Sequence, residues 1–224
     1  MRKFAVIVAG GSGSRMKSDT PKQFIGVAGS PILMHTIRRF KEADDQIQIV
    51  VVLPEVHITT WEKLCLEYKF DILHSVKKGG KTRFQSVKSG IDNLPKDSIV
   101  AVHDGVRPFT SLETIKTSYK VANEKGNAIT AIPLKDSIRE ITNSGNVAKN
   151  RDNYRLIQTP QTFVTSILQE AYDTEEYESF TDDASVVEFA GHSINLIEGS
   201  YQNIKITTPE DLLFAGVLQS KSSR

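Results

Sequence analysis

The sequence predicts an α/β protein: a mainly parallel, twisted sheet with helices on both faces, from which a β-hairpin arm projects. Three observations predict it. Short apolar, β-branched runs alternate with helical patterns from Phe4 to Pro133, and such alternation implies right-handed βαβ crossovers. Gly10, Gly11 and Gly13 follow the first of those runs at once. After Pro133 the rhythm breaks into a polar stretch with turn chemistry at its tip.

In order, Phe4 to Ala9 is short and rich in β-branched residues, as a strand buried on both faces requires. Pro31 to Ala43 is helical in pattern, with Leu33, Ile37 and Phe40 on one face. Ile47 to Leu53 reads as a second buried strand, stopped by Pro54. Trp61 to Phe70 reads as a helix and Ile72 to Val76 as a short strand. Gly79-Gly80 breaks the chain before a helix over Arg83–Leu94, whose stripe is Phe84, Val87, Ile91 and Leu94. A strand from Ile99 ends at His103-Asp104, a helix spans Leu112–Glu124, and Ala128 to Pro133 is a further strand.

Ser137 to Thr142 and Val147 to Lys149 flank the turn residues Asn143-Ser144-Gly145-Asn146. This hairpin is too polar for a core, so it projects as an arm, at about 134–153, or packs on a partner. Asp182 to Ala190 reads as a helix, Ser193 to Ile197 as a strand, and Pro209 to Gln219 as the closing helix, with Thr208 as its N-cap. With no repeat and no linker, residues 1–224 read as one domain carrying an arm.

Composition narrows the function. An apolar fraction of 39% and a charged fraction of 25% are those of a soluble globular protein. A net charge of +1 gives no basic field for nucleic acid. No apolar run reaches membrane-spanning length, and the glycines end the first run too early for a signal peptide, so a cytoplasmic protein is expected. The single cysteine, Cys65, excludes an intrachain disulfide and reads as a buried, inert thiol.

The chemistry gathers around the glycines. Ala9, Gly10, Gly11, Ser12 and Gly13 leave a strand, where backbone N–H groups can form a concave anion site. Arg15 and Lys22 add two permanent positive charges beside it. Neither common phosphate motif applies: Met16 occupies the last glycine of a dinucleotide fingerprint, and no Gly-Lys-Ser/Thr follows the loop. Asp104 ends a strand, where open α/β sheets bind ligands. A carboxylate there can hold a nucleotide's Mg²⁺ or simply cap a helix or pair with a cation, and position alone leaves both open.

Gly10-Gly11-x-Gly13-x-Arg15-Met16 with Pro21-Lys22-Gln23 resembles the signature of the sugar-phosphate nucleotidylyltransferases, and within them the 2-C-methyl-D-erythritol 4-phosphate cytidylyltransferase family. The resemblance extends along nearly the whole chain. It takes in Gly79-Gly80-x-x-Arg83-x-x-Ser86, His103-Asp104-x-x-Arg107-Pro108, and Arg151 ahead of Thr159-Pro160-Gln161-x-Phe163. It continues through Thr181-Asp182-Asp183-Ala184-Ser185 and Asn203-Ile204-Lys205-Ile206-Thr207. Ser137 stands where the family commonly has threonine, which keeps the hydroxyl, and Gly105-Val106 replaces the usual small pair.

The resemblance implies a Rossmann-like fold and cytidylyl transfer from CTP to 2-C-methyl-D-erythritol 4-phosphate. In that picture Arg15 and Lys22 stabilise the transition state, while Arg151 and Lys205 place the attacking phosphate. Gly79, Gly80, Arg83 and Ser86 lie against the base, Asp104 helps hold Mg²⁺, and Arg107, Ser137, Thr159 and Thr181 line the acceptor's pocket. Relatives are homodimers with embracing arms. The competing readings are a ribitol 5-phosphate cytidylyltransferase, a nicotinamide oxidoreductase, which Met16 disfavours, and a non-catalytic nucleotide-sensing module.

Overall fold

In the computed structural model, which describes residues 1–11 and 20–222 and side chains to 219, seven strands form one sheet. Its order is β11-β7-β10-β6-β1-β4-β5. The strands are β1 (Arg2–Val8), β4 (Gln48–Leu53), β5 (His74–Lys78), β6 (Ser98–Asp104), β7 (Asn127–Pro133), β10 (Arg155–Val164) and β11 (Leu196–Glu198). β1 pairs in parallel with β4 and β6, β4 with β5, and β7 with β11. β10 is antiparallel to both its neighbours. A small pair, β2 (Gly26–Val27) and β3 (Ser30–Pro31), stands apart. The expected α/β fold is therefore present.

Strand alternation sorts the core into two layers. Ala5, Ile7, Ile49, Val51, Ile99 and Ala101 face one layer, with α1 (Ile32–Ala43), α2 (Glu55–Glu67) and α4 (Leu112–Lys125) packed on it. Phe4, Val6, Val50, Val52, Val100 and Val102 face the other, covered by α3 (Arg83–Ile91), α5 (Thr165–Ala171) and α6 (Asp183–Phe189). Each fully buried Val or Ile contributes on the order of 2 kcal/mol, so the central strands anchor everything at their ends. α7 (Pro209–Ser222) closes a third, smaller cluster through Ala215, against Val106 and Ile206.

Several expectations are corrected. α2 begins at Glu55, directly after Pro54, and not at Trp61; Trp61 is its one fully buried side chain, so periodicity gives its start away poorly. β5 runs two residues later than expected, over His74–Lys78, and α3 stops at Ile91. The hairpin is β8 (Ile138–Thr142) and β9 (Gly145–Lys149), and Thr142 pairs with Gly145. Its turn is therefore Asn143-Ser144 alone, with Gly145 at φ +140° where a side chain would be strained. β10 and α5 were not foreseen. Cys65 is half-buried rather than buried, and burial pushes its thiol up to about 11, so it is inert as expected. Among the described residues no helix is long and apolar enough to cross a membrane.

Candidate active site

The carboxyl edge of the parallel strands is where the site forms. The Ala9 N–H donates to the Val52 carbonyl at 2.9 Å, Gly79 N–H to Leu53 at 2.8 Å, and Gly105 N–H to Val8 at 2.9 Å. These bonds tie the loops after β1, β5 and β6 to the ends of the neighbouring strands β4 and β1. Between them lies a cleft of about 190 Å³. Ala9, Gly10, Gly11, Gly80 and Ser86 line it, and so do Lys22, Arg83, Asp104 and Lys205. Gly79 sits just behind: a Cβ there would lie 2.9 Å from Ser86 Oγ and 3.3 Å from Val52, so only glycine lets this loop close on α3. Ser86 Oγ donates to the Thr82 carbonyl at 2.8 Å and accepts from the Gly80 N–H at 3.2 Å, which holds the loop's shape.

Asp104 is the electrostatic centre. Its Oδ2 accepts from Arg107 Nε at 3.0 Å and from Lys205 Nζ at 3.1 Å. Burial by itself would push this carboxyl up, but the charges of Lys205, Arg107 and Arg83 outweigh it and hold the group well below the usual carboxylate range. Asp104 is therefore ionised at any physiological pH, and it is the only carboxylate lining the cleft among the described residues. Arg83 is held by Asp183 in a bidentate pair at 2.9 and 2.5 Å. Asp183, fully buried at the start of α6, also accepts from Tyr172 Oη at 2.6 Å. Arg83 thus presents the cleft with a fixed charge whose orientation α6 determines.

Two residues that sequence reasoning left without a role build the scaffold behind Asp104. Nothing in the sequence places a partner beside His103, and the structure gives it two close ones, Thr159 Oγ1 at 3.0 Å from Nδ1 and the Arg107 carbonyl at 3.1 Å from Nε2, with Thr110 Oγ1 further off at 3.4 Å from Nε2. Thr159 Oγ1 in turn accepts from the Asp104 N–H at 3.0 Å. One proton arrangement satisfies all three bonds, with a neutral imidazole protonated on Nε2 and the Thr159 hydroxyl donating to Nδ1. Asn203, also buried, donates to the Thr159 carbonyl at 2.8 Å, accepts from Thr110 Oγ1 at 2.8 Å, and offers its own carbonyl to Arg107 at 2.8 Å. With Ile206 N–H on the Val106 carbonyl at 2.9 Å, it fixes the backbone on either side of Lys205. The signal in the sequence was only Asn203's place two residues before Lys205.

Burial pushes the His103 imidazole down from 6.5 to about 4. Between those pH values the unfolded chain binds a proton that the native state rejects. Stability from this group is complete above pH 6.5 and is lost as pH falls towards 4, at up to about 1.4 kcal/mol per pH unit. Urea midpoints measured at intervals from pH 7 to 4.5 should fall, and His103→Asn should flatten that dependence. An unchanged slope in the variant would assign the acid sensitivity to other groups.

Not every expected site residue converges. Arg151 lies exposed in a short 3₁₀ turn after the arm, where it donates to the Lys135 carbonyl. Ser137 stands at the arm's base and Thr181 is exposed before α6; neither lines the cleft. Ser12, Gly13 and Arg15 lie outside the described residues.

A sheet whose carboxyl edge carries a glycine-lined cleft, with Lys22, Arg83 and Lys205 around one carboxylate, is the arrangement of the nucleotide-binding α/β class. The family model for 2-C-methyl-D-erythritol 4-phosphate cytidylyltransferase matches residues 4–220, and the chain belongs to that family. A relative of that name from Bacteroides thetaiotaomicron is 45% identical over 97% of this chain and 100% of its own length. One from Azobacteroides pseudotrichonymphae is 48% identical over 97% of this chain and 98% of its own. Among solved structures, 4-diphosphocytidyl-2C-methyl-D-erythritol synthase from Anaerococcus prevotii superposes with a TM-score of 0.82 at 30% identity, over 97% of this chain and 95% of that one.

Proposed function

We propose that the protein is a cytidylyltransferase that moves CMP from CTP to 2-C-methyl-D-erythritol 4-phosphate and releases pyrophosphate, in the non-mevalonate route to isoprenoid precursors. The observation that carries this reading is the convergence of Lys22, Asp104 and Lys205 on one glycine-lined cleft in a chain matched to the family from end to end. The attacking group is a phosphate oxygen, already ionised at neutral pH, so no general base is needed. The acceptor phosphate oxygen forms a bond to the α-phosphorus as the bond to the β-phosphate bridging oxygen breaks. The task left to the protein is to place two anions in line and to neutralise charge that grows at the α-phosphorus. Lys22, with Arg15, supplies that charge. Lys205, anchored by Asp104, receives the acceptor's phosphate together with Arg151.

A magnesium ion fits the donor set, because it binds through one or two carboxylates plus substrate phosphates, and Asp104 is one ionised carboxylate. When bound, the ion would neutralise the triphosphate. We read the protein as a cytoplasmic homodimer of single domains. Arm residues Ile141 and Val147 are 80% and 51% exposed, and Leu156 at the arm's return is 50% exposed, which suits a surface that a second copy covers. In that dimer Arg151, with Ser137 on the same arm, serves the partner's acceptor pocket, to which Thr181 also belongs.

The test is to supply purified protein with CTP, magnesium and one polyol phosphate at a time, and to measure pyrophosphate. Release is expected with 2-C-methyl-D-erythritol 4-phosphate and should stop on chelation. Faster release with ribitol 5-phosphate would overturn the choice of acceptor. CTP binding with no release from any acceptor would indicate a nucleotide sensor.

A further inference from the structure

One buried polar group in the cleft is unaccounted for. Gln23, in the middle of the 3₁₀ turn Lys22–Phe24, is 1% exposed, and neither its Nε2 nor its Oε1 has a hydrogen-bond partner. It is the only residue of this kind among the described residues. The other buried amides are satisfied: Gln161 bonds Asp182 and the Ala184 N–H, Gln158 bonds the Ser200 carbonyl, and Asn203 is fully engaged. Buried polar groups are nearly always paired, so an orphan in a ligand cleft calls for a functional reason.

The turn that carries Gln23 is firmly held. Phe24 stacks on Trp61 with ring centroids 6.1 Å apart and an interplanar angle of 11°, and its N–H donates to the Pro21 carbonyl at 2.8 Å. Gln23 lines the same cleft as Lys22, Asp104 and Lys205. An amide offers a donor and an acceptor together. A phosphate oxygen only accepts, so it would leave Oε1 unpaired. A hydroxyl group answers both, donating to Oε1 and accepting from Nε2.

We infer that Gln23 reads a hydroxyl group of the bound substrate and so helps set the specificity of the transfer. This rests on the cytidylyltransferase reading, in which both substrates carry hydroxyls: the ribose of CTP and the polyol chain of the acceptor. The inference separates Gln23 from an ordinary core glutamine. An orphan amide weakens the unliganded protein and is satisfied only when substrate arrives. An apolar residue of equal length should therefore leave the free protein at least as stable while weakening one substrate.

The test uses Gln23→Met, with Gln23→Glu as a second variant that keeps the acceptor oxygens and loses the NH₂ donor. Each substrate is titrated alone by calorimetry, and the Tm of the free protein is recorded. We expect an unchanged or higher Tm for Gln23→Met and a Kd raised on the order of tenfold for one substrate only, as the loss of one buried hydrogen bond to a ligand predicts. If that substrate is CTP, 2′-deoxy-CTP or 3′-deoxy-CTP should bind wild type and variant alike, identifying the ribose hydroxyl. If it is the polyol phosphate, the polyol chain is what Gln23 reads. Unchanged affinity for both substrates, or equal weakening of both, would overturn the inference and make Gln23 a packing residue. Selective weakening in the variant, alongside wild-type protein that releases no pyrophosphate, would refute the reaction while retaining the role of Gln23.

Discussion

Lys22→Met is expected to lower kcat on the order of a hundredfold while the KM for CTP changes much less. The methionine keeps the apolar stem and removes only the charge. That stem has a defined seat: a Cβ on Gly11 would come within 2.9 Å of Lys22 Cε, so the glycine clears the path of the lysine. A cation held in a cleft this small acts in a poorly solvated setting, where an aimed charge is worth far more than in water. Charge at the α-phosphorus is greatest in the transition state, so the loss should fall on turnover. Steady-state kinetics decide the matter. A variant with wild-type kcat and raised KM would make Lys22 a residue of ground-state binding.

Mixing two inactive variants should restore activity. Arg151 is far from lining the cleft of its own chain, being exposed after the arm and bonded to the Lys135 carbonyl, whereas Lys22 lines it. If the arm delivers Arg151 to a second copy, Lys22→Ala and Arg151→Ala homodimers should each be nearly inactive. Unfolded together and refolded, about half of the dimers should be mixed, from the statistics of a symmetric pair. One site of each mixed dimer then lacks both residues and the other keeps both, which gives roughly a quarter of wild-type activity by the same symmetry. No recovery, with mixed dimers verified by native mass spectrometry, would place both residues in one subunit and leave the arm a structural clasp.

The parts of this molecule that could be read from the sequence are those where burial and chemistry agree. β1, β4 and β6 are largely apolar on both faces, and the residues at or just past the ends of β1 and β6, Ala9 to Gly11 and Asp104, carry the cleft. β10 escaped because its buried residues, Pro160 and Phe163 apart, are polar. Gln158, Thr159, Gln161 and Thr162 are each satisfied by partners distant in the chain, such as Ser118 Oγ at 3.0 Å from Thr162. No local pattern signals a strand of that kind. The same reason hid the partners of His103 and Asn203, which the fold brings together from β6, β10 and the segment before Lys205. Gln23 stood inside a recognised signature, yet its unpaired amide exists only in three dimensions.

The antiparallel seat of β10 governs how this architecture can change. β7 leaves the sheet at Pro133 and β10 re-enters opposite it, with Arg155 paired to Pro133. The excursion between them is thus sealed at its neck by the sheet's own ladder, and its far tip is a two-residue turn. Residues can be added or lost at that tip at small entropic cost, without shifting the register that holds Thr159 against Asp104. The outer face of the arm and the cleft are therefore free to diverge separately, and a lengthened or regrafted tip offers a way to change what the arm presents while leaving the cleft in place.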